Sequence, residues 1–208
     1  SFIQLAITLV LVAGGLSGGR FEILRDVGSN GRPLEWIQRF GVTYDLRMDG
    51  ISMPLVVLTS FLLPIILLGS WRGIERNWKG YAISMFLLTT GILGALLAFD
   101  LFLFYIFWEV MLVPMYLLIG IWGGERRIYA AVKFFLYTMA GSLLMLLGIL
   151  WMAWTYHGLS GEWSFSYLAL MELQLPMSQQ AWIFGALALA CAIKVPLFPF
   201  HTWLPDAH

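Results

Sequence analysis

Four stretches of this sequence, 51–71, 81–99, 101–122 and 128–156, are almost wholly apolar over about 20 residues or more. That is the length a helix needs to cross the roughly 30 Å hydrocarbon core of a bilayer. A shorter run, 2–16, is clipped at the start of the chain, and a sixth, 181–195, runs into Pro196, Pro199 and Pro205. Only helices or closed barrels satisfy every backbone N–H and C=O within lipid. Runs of this length and apolarity point to helices. The expected fold class is an all-α, polytopic membrane protein with about six transmembrane helices, the last broken at its prolines. No internal repeat is visible within the 208 residues.

Composition agrees. Charged residues make up 12% of the chain and apolar ones 60%, against about 25% and about 45–50% in soluble domains. A surface so poor in charge excludes a soluble enzyme or a disordered tail. The balance of 12 basic against 12 acidic residues excludes a nucleic-acid binder with its basic patch. A single cysteine, Cys191, excludes a disulfide framework or a thiolate cluster. The chain opens at Ser1 inside an apolar run, with no Met and no basic lead, and stops within a polar segment. It reads as a piece of a longer protein, a single partial transmembrane domain over 1–208.

The loops set the orientation. The connection 71–80 carries Arg72, Arg76 and Lys79, and 123–128 carries Arg126 and Arg127, whereas 157–180 has Glu162 and Glu172 and no Lys or Arg. The positive-inside rule places the first two in the cytoplasm, with Arg126 and Arg127 read as topology determinants. Segment 17–50, with five Arg and five acids, is expected outside as a folded extramembrane loop or hairpin. Trp71, Trp78, Trp122, Trp151, Trp154, Trp163 and Trp182 fall near the ends of the spans, as interfacial belts do.

Three charges remain inside apolar stretches: Glu109, Lys133 and Lys194. An ionised group at a helix centre costs about 2.5–3.5 kcal/mol on insertion scales, so intramembrane charges mark ion pathways and proton relays. Glu109 lies eight residues into 101–122, about 12 Å deep at 1.5 Å per residue. Pro114 follows, freeing backbone acceptors near the acid. The plainer reading is a structural glutamate pairing with a neighbouring helix. Lys194 sits thirteen residues into 181–195, just before Pro196 and Pro199, or about 20 Å in. Helices broken at membrane depth survive where they line protein or water, and there transporters hold ions. The alternative is a helix that ends here, with the lysine snorkelling to the surface. Lys133 is close enough to Ile128 for its stem to reach the headgroups. Glu109 can pair with either lysine. His201, Asp206 and His208 form a candidate polar relay; their spacing is not that of metal ligands. His157 reads as a loop residue. Neither a redox motif nor a phosphate loop in its strand–turn–helix setting is present.

Phe107-Trp108-Glu109-Val110-Met111-Leu112-Val113-Pro114-Met115-Tyr116, followed by Gly120-Ile121-Trp122-Gly123, resembles the signature of the M-type (subunit 4 type) antiporter-like membrane subunits of proton-pumping NADH:quinone oxidoreductase, respiratory complex I. Arg127 to Thr138 is similar to the next helix of that family, and Ala192 to His208 to its broken helix. Asp49-Gly50-Ile51-Ser52 resembles the entry to its third helix. The resemblance runs from about residue 41 to 208; residues 1–40 match by hydropathy alone.

The resemblance implies a part of a fourteen-helix antiporter-like fold built largely on two inverted five-helix repeats. It places the family's essential glutamate on Glu109, its broken-helix lysine on Lys194 and a further buried lysine on Lys133. The implied function is proton translocation through Glu/Lys half-channels, driven by remote quinone reduction. No cofactor is expected in this chain; NADH, FMN, iron–sulfur clusters and quinone would belong to partner subunits. Implied partners are the other membrane subunits of complex I, neighbouring antiporter-like subunits among them, and the lipid bilayer, with no nucleic acid. The implied location is the bacterial cytoplasmic membrane, with the mitochondrial inner and thylakoid membranes as alternatives. Multi-subunit cation/proton antiporters and membrane-bound hydrogenases share the same helices and supply the rival reading.

Overall fold

A computed structural model describes residues 1–18 and 34–207. The chain divides into two compact units, residues 1–36 with 43–111, and residues 37–42 with 112–208.

The first unit holds α1 (Phe2–Gly18), α2 (Ser52–Ser70), α3 (Trp78–Leu97) and α4 (Leu101–Val110), each packed on the next in sequence. Asp49 starts α2: its Oδ1 accepts from the Ile51 and Ser52 N–H groups at 2.9 and 2.6 Å. These bonds, the one from Ser52 above all, hold the Asp49 carboxyl below its ordinary 3.8. Asn77 starts α3 from the left-handed region (φ 52°), its side chain accepting from Gly80 N–H. Asparagine tolerates that conformation and caps well, which is why α3 begins ahead of the apolar run expected from Tyr81. Close packing of α3 on α4 depends on glycine. A Cβ on Gly94 would land inside the Phe107 ring, and one on Gly91 would meet Met111 Cγ at 2.6 Å.

A polar corner closes the open end of α3 and α4. Arg47 N–H donates to Leu97 O at 2.8 Å and Phe99 N–H to Asp45 O at 2.9 Å. Arg47 also grips the Asp45 carboxylate at 2.6 Å and lies over the Phe99 ring at 5.2 Å. Asp100, fully buried, caps α4 through the N–H groups of Phe102 and Leu103 (2.9 and 3.0 Å) and takes the Thr43 N–H and hydroxyl on its other oxygen (2.9 and 3.1 Å).

Ahead of that corner, β1 (Leu34–Ile37) and β2 (Val42–Tyr44) pair as a two-stranded sheet. Between them run a 3-10 turn, Gln38–Phe40, and Gly41 at φ 60°. The pair lies within the segment expected as a hairpin over 17–50; residues 19–33 of that segment lie outside the described residues.

The second unit holds α5 (Leu112–Trp122), α6 (Arg127–Ser160), α7 (Tyr167–Met171), α8 (Met177–Lys194), a 3-10 segment (Phe200–Trp203) and α9 (Leu204–Ala207). α6 is the spine, against which α5, α8 and the terminal segment pack. Its core is Leu112, Ile119, Ala130, Ala131, Phe134 and Trp203. Gly141 lets α8 approach so closely that a Cβ there would meet Ala190 Cα at 3.3 Å.

Boundaries differ from the apolar runs where hydropathy and helicity part company. α6 extends 34 residues, about 51 Å, past the end expected at Tyr156, until Gly161 (φ 79°) closes it with an N–H to His157 O at 2.9 Å. His157 is therefore helical and not a loop residue; it stacks flat on Trp163 at 4.3 Å. α8 starts at Met177, before the apolar run from Ala181, because Ser178, Gln179 and Gln180 are polar yet helical. The stretch 101–122 is not one uninterrupted helix but turns at Met111. Pro114 supplies the cause: it has no N–H for the carbonyl four residues back, that of Val110, and its ring crowds that oxygen.

Among the described residues, four segments are long and apolar enough to cross a membrane: Ser52–Ser70, Trp78–Leu97, Leu101–Trp122 and Arg127–Ser160. α1, at 17 residues, is shorter, and α8 carries Gln179, Gln180 and Lys194.

Candidate functional site

Glu109 occupies the last turn of α4. The residue is half-buried, and its Oε1 is enclosed with no hydrogen-bond partner among the described residues. Glu109 belongs to the first unit; Lys133, Lys194, His201 and Asp206 belong to the second.

In the second unit, two residues singled out from sequence meet directly. Lys133 Nζ donates to Asp206 Oδ2 at 2.8 Å and to the Thr202 carbonyl at 2.7 Å. Its ammonium also lies 5.7 Å from the Tyr129 ring centre. The other carboxylate oxygen of Asp206 takes Arg126 Nη2 at 2.8 Å. Arg126, the residue just before α6, and Lys133 are seven residues apart, about two helical turns, so both reach one acid. Arg126, expected only as a topology determinant, thus has a specific partner, and Lys133 is held by protein groups. The side chains of Lys133 and Asp206 are 21% and 13% exposed, whereas Arg126 is 75% exposed. The Lys133 contact is therefore the less screened of the two.

Thr202 hydroxyl donates to Tyr137 OH at 2.9 Å, one turn beyond Lys133 on α6. Trp203 packs edge-on against Phe134, centroids 5.0 Å apart, an arrangement worth about 0.5–1.5 kcal/mol beyond its area burial. Sequence reasoning passed over Tyr137, Thr202 and Trp203. The signal was there in their spacing: Thr202, Trp203 and Asp206 fall on one side of a short helical stretch.

Lys194 is the last residue of α8 and half-buried. Beyond it the backbone leaves the α-helix: Leu197 N–H reaches Ala192 O at 2.8 Å, Phe200 N–H reaches Leu197 O at 2.7 Å, and the Phe198–Pro199 peptide is cis. His201 faces Phe198, ring centroids 5.7 Å apart, and its Nδ1 is buried without a hydrogen-bond partner among the described residues. His208 lies outside the described residues. Among the described residues no group of three or more His, Cys, Asp or Glu could hold a metal.

Comparison with known proteins decides the family. The family described as NADH:quinone oxidoreductase/Mrp antiporter, transmembrane, matches residues 98–208, the stretch that carries Glu109, Lys133, Lys194 and Asp206. The chain belongs to this family. It is 41% identical over 180 residues to NADH-quinone oxidoreductase subunit M of Escherichia coli K12, covering 84% of this chain and 35% of that one. It is 43% identical over 173 residues to the subunit M of Rickettsia bellii, covering 83% and 34%. The chain thus spans about a third of the length of these curated relatives. Among solved structures, a chain of respiratory complex I from Thermus thermophilus superposes with a TM-score of 0.75 at 30% identity, covering 98% of this chain and 40% of that one. A chain of the Mrp complex from Dietzia superposes at 0.68 with 26% identity, over 84% and 19%.

Proposed function

We propose that this chain is the acid-and-lysine part of a proton-translocating subunit of NADH:quinone oxidoreductase, moving protons through buried Glu/Lys half-channels while quinone is reduced elsewhere in the complex. The observation that carries the reading is that the family-matched stretch 98–208 holds the three charges that apolar helices have least reason to keep, Glu109, Lys133 and Lys194.

The physics is a competition. Burial disfavours a charged lysine, and a nearby carboxylate favours it. A change in the distance between Glu109 and a lysine would therefore let that lysine take up or release a proton. Both Lys194 and Lys133 are candidates for that exchange, and His201, Asp206 and His208 for a relay at the broken end. α1 and α8 complete six crossings, with segment 17–50 outside the membrane and the broken end of α8 within it. The redox groups (NADH, FMN, iron–sulfur clusters and quinone) belong to partner subunits, and the flanks of this chain meet neighbouring antiporter-like subunits in the bacterial cytoplasmic membrane. The similarity to the Mrp complex chain favours a second reading, a subunit of a multi-subunit cation/proton antiporter. Copurification of the native protein with flavin and iron–sulfur subunits separates the two.

The direct test is proton pumping and quinone reductase activity per assembled complex in sealed vesicles. Glu109→Gln should assemble normally and lose coupled turnover, because an amide cannot modulate a lysine's proton affinity. Lys194→Ala should lose pumping, and Lys194→Arg should be impaired, since guanidinium stays protonated. Wild-type pumping by a well-assembled Glu109→Gln complex would falsify the reading.

A further inference from the structure

The end of α8 is closed by a side chain. In a regular helix the Ala192 carbonyl would accept from residue 196 and the Ile193 carbonyl from residue 197. Residue 196 is proline and has no N–H to give. Leu197 N–H takes its place on Ala192 O at 2.8 Å, which leaves the Ile193 carbonyl without a backbone donor. The Trp203 indole supplies one: Nε1 donates to Ile193 O at 2.9 Å in a buried bond. Trp203 is 5% exposed, and its ring is held edge-on by Phe134 of α6. Asp206, three residues on, is held by Lys133, the residue beside Phe134.

We propose that Trp203 is a positioning residue for Lys194: its indole fixes the carbonyl immediately before the lysine, and the Lys133–Asp206 pair pins the segment carrying that indole to α6. The inference rests on the reading of Lys194 as a proton-carrying group. A buried carbonyl without a donor is costly, so without the indole the last turn of α8 rearranges to find one, and Lys194 moves with it. The titratable groups brought to this end are Arg126 at the start of α6, Arg127, Tyr129, Lys133 and Tyr137 on α6, Cys191 and Lys194 on α8, and His201 and Asp206 on the terminal segment.

The test uses the full complex in sealed vesicles, with Trp203 replaced by its benzothiophene analogue, which keeps the fused ring and loses only the N–H. Trp203→Phe is the second variant, and Phe134→Leu the control that disturbs packing while sparing the donor. The expected result is normal assembly with coupled pumping reduced roughly three- to tenfold, the range set by one hydrogen bond. The pH profile of pumping should be displaced in both Trp203 variants and unmoved in Phe134→Leu. An assembled benzothiophene variant with the wild-type rate and pH profile overturns the proposal. An equal displacement in Phe134→Leu overturns it as well, because the ring and not the donor would then be responsible. If Lys194→Ala pumps normally, the reading of Lys194 has failed and the positioning role falls with it, an outcome told apart because it needs no change at Trp203.

Discussion

Lys133 and Asp206, 73 residues apart in the chain, meet at 2.8 Å and join the spine helix α6 to the short helical segment that follows the end of α8. The same acid holds the more exposed Arg126 with its second oxygen. One carboxylate thus carries two bonds of unequal shielding, and the two cations should not be equivalent. Lys133→Gln should lower the thermal stability of the assembled complex more than Arg126→Gln. Added salt should erase the Arg126 effect and spare most of the Lys133 effect, since screening acts on exposed pairs. Melting of the four proteins (wild type, both single variants and Asp206→Asn) at low and high ionic strength checks this. Equal losses for the two cations would refute the ranking.

Gly94 lets α3 pack tightly on α4, with the Phe107 ring in the space a Cβ would need. Gly94→Ala should destabilise the protein by about 1–3 kcal/mol, the usual penalty of overpacking. Because Phe107 lies two residues before Glu109, the shift it forces in α4 should also reduce pumping. Phe107→Leu in the Gly94→Ala background should recover part of the stability. A double variant no more stable than Gly94→Ala would show that the ring is not the obstacle.

What could be read from sequence follows from the range of each interaction. The spans at 51–71, 81–99 and 128–156 and the three charges within apolar runs are local facts, and hydropathy reports local facts well. The missing N–H of Pro114 or Pro196 is equally local, so it argues where a helix has trouble continuing. What replaces the lost bond is not local. Nothing near Ile193 points to Trp203, ten residues away across Pro196 and Pro199, and nothing near Lys133 points to Asp206. Asp100 shows the same limit: read along the chain it is one charge between two helices, whereas in the fold it is buried and receives two donors from its own helix and two from Thr43. Arg126 was informative about loop charge for the same reason that its partner was invisible.

The basic loops predict topology independently of any mechanism. Residues Gly73, Gly124 and Gly161 are exposed at the ends of α2, α5 and α6. Labels or reporters placed there should find Gly73 and Gly124 on the cytoplasmic side and Gly161 outside, because an even number of crossings separates the first two and one more precedes the third. Gly73 and Gly161 on the same side would end the assignment.

Asp100 makes the last prediction, on pH. Burial pushes its carboxyl up from the ordinary 3.8, against the downward pull of the Thr43, Leu103 and Phe102 donors. The folded protein therefore keeps this proton to a higher pH than the unfolded chain does. Between 3.8 and the raised folded value, the native state binds more protons, so stability falls as pH rises through that window. The contribution is fully present below the window and lost above it. Asp100→Asn removes the titration. It also turns one of the acceptor oxygens into an NH2 that faces N–H groups, a loss of about 1–3 kcal/mol that does not depend on pH. The wild type should therefore gain stability relative to Asp100→Asn as the pH is lowered toward about 4. Thermal unfolding of both proteins across that range reads the difference directly, and a wild type that instead loses ground to the variant on acidification would show that hydrogen bonding, not burial, governs this carboxyl.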